Sequence, residues 1–298
     1  MAKYKFHFTS GVIQAMLGAI SFALMGAFVK LASDELSSIQ IVLFRNLVGV
    51  SFILATIGRK PLENKGGRFG LLMFRGFVGT LSLYTLYYNI GIIGLGTSIT
   101  YIQTSTIFVA VFSIIFLKEM LSIWGWMALF IGFAGILLIF RPDMESALLP
   151  NLLGVFNGVA AGAAYTSVRE LKKHYDTRSI VLSFMGWGVI LPIISMLLYP
   201  YINNPNLDFA FSAFRLPTGW GWLWVFMVGV TALLGQIYIT KAYGTEKAGV
   251  VSTIGYINIP FAVLFGYILG DTLPDWITIT GIVFIIVSGV VISIRRNI

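Results

Sequence analysis

Two arginines interrupt apolar stretches of the sequence, and they are the side chains there best able to bind an ion. Arg75 lies within MFRGFVGTLSLYTLYYNIG (73–91), and Arg45 lies within IQIVLFRNLVG (39–49). A guanidinium group at the centre of a membrane costs at least about 2.5 kcal/mol, so each arginine should face protein or a water-filled cavity. No aspartate or glutamate lies deep in an apolar stretch. The two arginines therefore predict a positive cavity that binds a carboxylate or a phosphate.

Each arginine also has a structural interpretation. Its guanidinium group could cap exposed helix carbonyls or reach an acid at a helix end, such as Glu119, and so only hold helices together. The sequence leaves both interpretations open at both positions. The absence of a deep carboxylate does argue against a transporter of cationic drugs built around an acidic residue in the membrane.

Polar and aromatic side chains in the same stretches extend the candidate site. Tyr84 and Tyr88 share one helix face, because they are four residues apart. Later stretches contribute amides, hydroxyls and further tyrosines, whereas the fifth and tenth stretches are poorer in such groups. The predicted substrate-binding residues are Arg75, Arg45, Tyr84, Tyr88, Tyr101, Gln103, Thr104, Gln236, Tyr238, Tyr256 and Asn258.

Two further motifs concern helix geometry. Pro260 removes one backbone hydrogen bond within a long apolar stretch, so it either hinges a gate or marks a tolerated kink. Gly154, Gly158 and Gly162 recur at every fourth position, a spacing that lets two helix backbones approach closely. We expect these glycines to pack against a neighbouring helix, either inside the fold or in a dimer.

The composition places these residues in a membrane protein. Of 298 residues, 57% are hydrophobic and 11% are charged, and the mean hydropathy is +0.88. There is no cysteine, and the two histidines, His7 and His174, are far apart in the sequence, so we expect no metal site. The sequence has neither a phosphate-binding loop nor a nucleophile motif, so we also expect no cofactor and no enzymatic activity.

Ten apolar stretches are long enough to position these side chains on membrane-spanning helices, since a span needs about 20 residues. The predicted fold is therefore an all-α integral membrane protein with ten transmembrane helices. The predicted spans are residues 11–32, 38–57, 69–90, 97–117, 122–140, 151–170, 179–199, 220–243, 248–269 and 275–294.

The distribution of positive charge predicts the orientation. If the N-terminus lies inside, most of the 20 lysines and arginines fall in cytoplasmic segments. Both termini should then lie in the cytoplasm, with the chain in the cytoplasmic (inner) membrane. The net charge of +8 reflects this topology, and a basic face for nucleic acid is not expected.

An internal repeat is visible in the sequence. The stretches TSITYIQTSTIFVAVFSIIFLKEMLSIW (97–124) and GVVSTIGYINIPFAVLFGYILGDTLPDW (249–276) align without a gap, and Glu119 matches Asp271. Because each half has five spans, the second half should cross the membrane in the opposite direction, which predicts inverted repeats. The predicted divisions are a cytoplasmic N-terminus (1–10), a first repeat (11–141), a linker (142–150), a second repeat (151–294) and a cytoplasmic C-terminus (295–298).

Several of these motifs resemble a known family. VLFRNL in the second span, RGFVGTLSLYTLYYN in the third, and FLKEMLSIWGWMALFIGFAGILLIFRP with its second copy ILGDTLPDW are similar to the EamA branch of the drug/metabolite transporter superfamily. The arginine–glycine pair that opens the third span resembles the subgroup with S-adenosylmethionine carriers. The resemblance implies a ten-helix carrier whose central cavity is lined by spans 1 to 4 and 6 to 9.

Taken together, these features predict a secondary active transporter. It would move a small anionic or zwitterionic metabolite, such as an amino acid, a carboxylate or an S-adenosylmethionine-like compound, by alternating access. The alternative is a membrane scaffold or regulator that transports nothing. The expected partners are the lipid bilayer, the metabolite and either a coupling proton or an exchanged solute, with the protein acting as a monomer or a homodimer.

Overall fold

The regular secondary structure in the described part of the chain is helical throughout. A computed structural model of the protein describes residues 10–117, 123–140, 148–202, 204, 207–246, 251 and 254–295. A short 3₁₀ turn, Tyr199–Tyr201, continues the eighth helix. The helices are α1 Ser10–Ser33, α2 Ser38–Arg59, α3 Phe69–Ile92, α4 Leu95–Gln103, α5 Ser105–Leu117, α6 Ile123–Phe140, α7 Leu148–Leu171, α8 Thr177–Leu198, α9 Gly221–Thr245, α10 Asn258–Ile268 and α11 Trp276–Arg295.

Long apolar helices make this chain a multi-pass membrane protein. Among the described residues, 6 helices are long and apolar enough to cross a membrane: α1, α2, α3, most of α7, α8 with its 3₁₀ turn, and α9. They coincide with the first, second, third, sixth, seventh and eighth predicted spans. Shorter apolar helices cover residues 126–139, 258–268 and 276–288. A helix suits this environment because it satisfies its own backbone hydrogen bonds.

The fourth predicted span is interrupted, which corrects the expectation of one continuous helix. Thr104 separates α4 from α5, and both its N–H and its hydroxyl donate to the carbonyl oxygen of Tyr101, at 3.1 and 2.6 Å. These two bonds tighten the turn and end the regular pattern there. The fourth predicted span is therefore formed by two shorter helices, α4 before the break and α5 after it.

The ninth predicted span is interrupted in a similar way. Tyr256 and Ile257 form a turn, and α10 begins at Asn258. Pro260 is the third residue of α10, where a backbone N–H would have no partner within the helix. The proline therefore fits the start of a helix. In a continuous span it would have removed an internal hydrogen bond, and that loss does not occur here.

Helix pairs join the two halves of the chain. The most extensive contacts are between α1 and α9, α6 and α11, α3 and α7, and α2 and α8. Small residues allow this closeness: a Cβ on Gly135 of α6 would lie 2.8 Å from the carbonyl oxygen of Gly281 in α11. In every one of these pairs, one helix precedes residue 141 and the other follows residue 147. The space at the centre is consequently walled by both halves.

Candidate functional site

A small cavity lies at the centre of the fold, where helices of both halves meet. Its volume is about 70 Å³. Buried apolar side chains, including Met25, Leu83 and Ile99, form part of its wall. Its polar wall consists of Arg45 from α2, Arg75 and Ser82 from α3, Gln103 from α4, Tyr165 from α7, Gln236 from α9 and Asn258 from α10.

Arg75 is held in this wall by one hydrogen bond and one aromatic ring. The side chain is 2% exposed, and its Nη2 donates to Oε1 of Gln236 at 3.3 Å. Its Cζ lies 4.3 Å from the centroid of the Phe184 ring, a cation–π distance. Gly79 lies one helical turn further along α3 and leaves room for the guanidinium group, since a Cβ there would come within 2.5 Å of Nη1.

Arg45 approaches the same ring from α2. It is fully buried, and its Nη1 donates to Oδ1 of Asn46 at 2.9 Å. The amide of Asn46 is itself fixed, because its Nδ2 donates to the carbonyl oxygens of Val42 at 2.7 Å and Gly188 at 3.2 Å. The Cζ of Arg45 lies 5.2 Å from the Phe184 centroid. One ring therefore faces both guanidinium groups.

Among the described residues, no carboxylate balances the positive charge of this wall. Nε and Nη2 of Arg45 and Nε of Arg75 are buried without a hydrogen-bond partner. None of the described ion pairs includes either arginine, and no aspartate or glutamate among the described residues lines the cavity. The two Cζ atoms are no further apart than the sum of their distances to the ring, about 9.5 Å. At that separation and an effective dielectric constant of about 20, two unit charges repel by about 2 kcal/mol.

These features leave the wall ready to receive negative charge. A buried N–H group without a partner costs about 1–3 kcal/mol, and more when it is charged. A ligand oxygen or another anion that accepted these hydrogen bonds would remove that cost. It would also neutralise the repulsion between the two arginines.

Comparison with known proteins identifies the family. The sequence profile of the EamA-like transporter family matches residues 9–141. The chain is 31% identical over 288 residues to an uncharacterized transporter of Helicobacter pylori strain J99, with 95% of this chain and 94% of that protein covered. The chain belongs to the EamA family of the drug/metabolite transporter superfamily. Its pseudopaline-exporting relative CntI, from Pseudomonas aeruginosa strain PAO1, is 30% identical over 285 residues, covering 95% and 96% of the two chains.

The fold of this EamA transporter also occurs in a solved structure. A crystal structure matches it with a TM-score of 0.65 at 13% identity, covering 95% of this chain and 98% of the other. The matching family profile describes transporters, and the relatives reported above are named as transporters. The prediction that this chain is not an enzyme is therefore confirmed. The resemblance to the EamA branch, inferred from the motifs, is confirmed as well.

Five of the predicted binding residues meet in the cavity wall of this EamA chain. Arg45, Arg75, Gln103, Gln236 and Asn258 all line it. The Nε2 of Gln103 donates to the carbonyl oxygen of Gly255, across the turn that precedes α10. Oδ1 of Asn258 is buried without a hydrogen-bond partner. The wall therefore offers one free acceptor beside three free donors.

Tyr84 and Tyr88 do not line this cavity. Tyr84 follows Arg75 by nine residues, which at about 100° per residue turns it to the opposite face of α3. Its hydroxyl lies 3.1 Å from Oγ of Ser195 on α8, beside a separate cavity of about 420 Å³. Tyr88 packs edge-on against Phe209. The shared face of these two tyrosines thus points away from the arginines.

Of the remaining predicted residues, Tyr101, Thr104 and Tyr256 lie at or near the helix breaks, and Tyr238 lies within α9. The hydroxyl of Tyr101 donates to Oδ1 of Asn151 at 2.9 Å, and Thr104 forms the α4–α5 turn described above. Tyr256 is buried at the turn before α10. Tyr238 is half-buried on α9, two residues from Gln236 and hence on another face of that helix. None of the four lines the central cavity.

Several wall residues were not in the predicted set, among them Ser82, Tyr165 and Phe184. Ser82 had a detectable signal, because it follows Arg75 by seven residues and so lies on the same face of α3. Tyr165 on α7 stacks on Tyr243, with ring centroids 5.8 Å apart. Phe184 is one apolar residue among many in α8, and nothing in its spacing distinguishes it.

The glycines at every fourth position face the interrupted span. A Cβ on Gly154 would lie 2.5 Å from the ring of Tyr101, and one on Gly162 would lie 2.7 Å from Cβ of Phe108. A Cβ on Gly158 would run into the hydroxyl of Thr104. This face of α7 therefore packs inside the chain, against α4 and α5.

A second charged group joins three elements away from the cavity. Nζ of Lys30, near the end of α1, pairs with Oδ1 of Asp271 after α10. Oδ2 of the same carboxylate accepts the backbone N–H of Leu95 at 2.9 Å, at the start of α4. Asp271 thus caps the start of α4 and forms an ion pair with α1. Glu119, the residue that matches Asp271 in the first repeat, lies outside the described residues.

Proposed function

We propose that this protein is a secondary carrier that moves a small anionic or zwitterionic metabolite across the cytoplasmic membrane. One observation carries the proposal: two buried guanidinium groups, with free N–H donors and no carboxylate among the described wall residues, share one cavity. A carboxylate or phosphate on the solute would accept these donors in the charge-assisted hydrogen bonds that arginine forms best. Amino acids, carboxylates and S-adenosylmethionine-like compounds are the candidate solutes.

The same wall accommodates a positive group on the solute. The free Oδ1 of Asn258 can accept a hydrogen bond from an amine. It belongs to α10, whereas the arginines belong to α2 and α3. A zwitterion would therefore place its acidic end on the first half of the chain and its amine on the second.

We further propose that the chain consists of two inverted five-span halves. The breaks at Thr104 and Tyr256 support this, because the ungapped alignment of 97–124 with 249–276 matches these two residues. The helix pairing supports it too. If each span is replaced by its equivalent in the other half, the α1–α9 pair (spans 1 and 8) becomes the α7–α3 pair (spans 6 and 3). The same replacement leaves the α2–α8 and α6–α11 pairs unchanged.

Alternating access between these halves follows as the proposed mechanism. Sites for small molecules usually enclose about 300–1,000 Å³, and the cavity here is far smaller, at about 70 Å³. The helices around it must separate before a metabolite can enter. The Lys30–Asp271 pair ties α1 to the segment after α10, and both residues belong to the predicted outer side. Its rupture would accompany opening on that side.

The proposed orientation places both termini in the cytoplasm. The connection between α2 and α3 and that between α7 and α8 lie together: the backbone N–H of Lys65 donates to the carbonyl oxygen of His174 at 2.9 Å. These connections are rich in lysine and arginine, as cytoplasmic segments are. A fluorescent protein and a periplasmic phosphatase, each fused to the C-terminus, test this. Fluorescence without phosphatase activity supports the orientation, and the reverse pattern contradicts it.

Counterflow in liposomes tests the transport function. Purified protein would be reconstituted with one unlabelled solute inside, and uptake of the labelled solute measured for amino acids, dicarboxylates and S-adenosylmethionine. We expect saturable counterflow for at least one anionic or zwitterionic solute, and its loss in Arg75→Gln. Arg59→Gln is the matched control, because Arg59 is exposed at the end of α2.

Two results would contradict the proposal. Counterflow of cationic solutes that Arg75→Gln leaves unchanged would remove the electrostatic basis of solute binding. The absence of counterflow across the whole panel, with protein that is monodisperse and folded, would favour a scaffold or regulator. Repeating the experiment with and without a proton gradient identifies whether a proton or an exchanged solute drives transport.

A further inference from the structure

Among the described residues, the two cations of the central cavity have no negative partner. The protein groups that contact the guanidinium groups are neutral: the amide oxygens of Asn46 and Gln236 and the ring of Phe184. Three buried nitrogen atoms, Nε and Nη2 of Arg45 and Nε of Arg75, have no hydrogen-bond acceptor among the described residues. Buried charges in proteins are normally paired, because removing an ion from water without compensation is costly. An anion from outside the chain would supply the missing negative charge.

The size of the cavity restricts what that partner can be. A water molecule needs about 10–15 Å³ of such space, so the cavity of about 70 Å³ has room for a few small particles. A metabolite of the proposed kind does not fit without separation of the helices. A single monatomic anion, accompanied by one or two water molecules, does fit.

The composition of the wall matches such an ion. Two arginines line this space together with the apolar side chains of Met25, Leu86 and Ile99 and the neutral amides of Gln103, Gln236 and Asn258. A chloride ion is spherical and accepts N–H groups from several directions at once. It can therefore accept hydrogen bonds from the arginines while it also contacts apolar side chains.

We propose that chloride occupies the small cavity lined by Arg45 and Arg75, and that the acidic group of the transported solute replaces it when the surrounding helices separate. Chloride accepts the free N–H groups and offsets the repulsion between the two cations. This inference rests on the proposed function only in its second part, the exchange for solute. In this scheme, the binding site returns to the opposite side of the membrane with chloride bound instead of solute. Chloride and the solute then compete for the same site.

Halide binding can be measured without any knowledge of the solute. The thermal unfolding midpoint of the purified protein would be followed as sodium chloride or sodium bromide replaces sodium gluconate at constant ionic strength. We expect a saturable rise for wild type, no saturable rise for Arg45→Gln or Arg75→Gln, and an unchanged rise for the surface control Arg59→Gln. Bromide soaked into crystals should give one anomalous peak between the two arginines.

The outcomes separate this inference from the proposed function. Chloride binding is overturned if the thermal unfolding midpoint does not change with halide concentration, or if it rises equally in wild type and Arg45→Gln. Either result would hold even if solute counterflow remains dependent on Arg75. Saturable halide binding without counterflow of any solute supports the chloride site and contradicts the carrier. If a glutamine variant fails to fold, the bromide peak in wild-type crystals decides: its absence from the cavity refutes the inference.

Discussion

Alanine at position 79 should disturb the cavity while adding only one methyl group. A Cβ at Gly79 would lie 2.5 Å from Nη1 of Arg75 and 2.9 Å from two atoms of the Phe184 ring. Both distances are shorter than van der Waals contact, so the guanidinium group, the ring or the backbone of α3 must move. Because the ring also faces Arg45, a displacement of Phe184 would reach both cations.

The expected magnitude follows from two effects. Overpacking of this kind costs about 1–3 kcal/mol, and the better helix propensity of alanine returns at most about 1 kcal/mol. The net loss of stability is then about 1 kcal/mol, a modest fall in the unfolding midpoint. Solute binding should suffer more, because losing one hydrogen bond to a charged group costs about 1.5–3 kcal/mol. That corresponds to a half-saturation concentration about 10–100 times higher.

The matched control is Gly70→Ala on the same helix. No atom lies within 4 Å of a Cβ at Gly70, so the same chemical change meets open space. Counterflow at a series of solute concentrations would be measured for both variants, together with their unfolding midpoints. We expect Gly70→Ala to behave as wild type. If Gly79→Ala also keeps the wild-type half-saturation concentration and midpoint, the guanidinium group of Arg75 does not occupy this position and the reasoning fails.

Three further predictions concern other parts of the fold. Asp271→Asn should leave Lys30 without its ion-pair partner and lower the unfolding midpoint by several degrees. It should also speed thiol labelling of a single cysteine introduced into the cavity wall, which the cysteine-free sequence permits; labelling at the wild-type rate would contradict the proposed role of the Lys30–Asp271 pair in opening. Burial opposes ionisation of Asp176, but hydrogen bonds from the backbone and side chain of Arg178 outweigh this effect. They lower the pKa of the Asp176 carboxyl group below its ordinary value of 3.8. Its stabilising contribution is therefore present at neutral pH and is lost as the pH falls below about 4, so Asp176→Asn should lower the midpoint at pH 7 and flatten its fall between about pH 5 and pH 3. Gly158→Ala should destabilise the chain by crowding the α4–α5 break, whereas Gly186→Ala, with nothing within 4 Å of its Cβ, should not; equal midpoints would contradict the packing.

Hydropathy predicts where these helices lie and misses where they are broken. The six long helices coincide with predicted spans because about 20 consecutive apolar residues have few other stable arrangements in a bilayer. The break at Thr104 is invisible to hydropathy, since a threonine fits equally well within a helix and its hydroxyl ends this one through a local hydrogen bond. The break before Asn258 had a signal in Pro260, but a proline also occurs within continuous membrane helices.

The candidate site was predictable in its charges and less so in its neighbours. Arg45 and Arg75 could be identified because a cation in an apolar stretch must face the interior. The opposite placement of Tyr84 was also readable from the sequence, because nine residues on a continuous helix put it about 180° from Arg75. The prediction was wrong because it grouped the polar residues of one span without using this angle. Phe184 gave no signal, since its role comes from the packing of α8 against α2 and α3.

The cavity also explains how binding could control the two halves. Arg75 belongs to the first half, yet its hydrogen bond goes to Gln236 and its ring contact goes to Phe184, both in the second half. An anion that takes over the donors of Arg75 competes with the weak 3.3 Å bond to Gln236. Occupancy of the cavity by such an anion would therefore change how strongly the halves are joined at their centre. A ligand can shift a conformational equilibrium only by its difference in affinity for the two states, and a wall divided between the two halves supplies that difference directly.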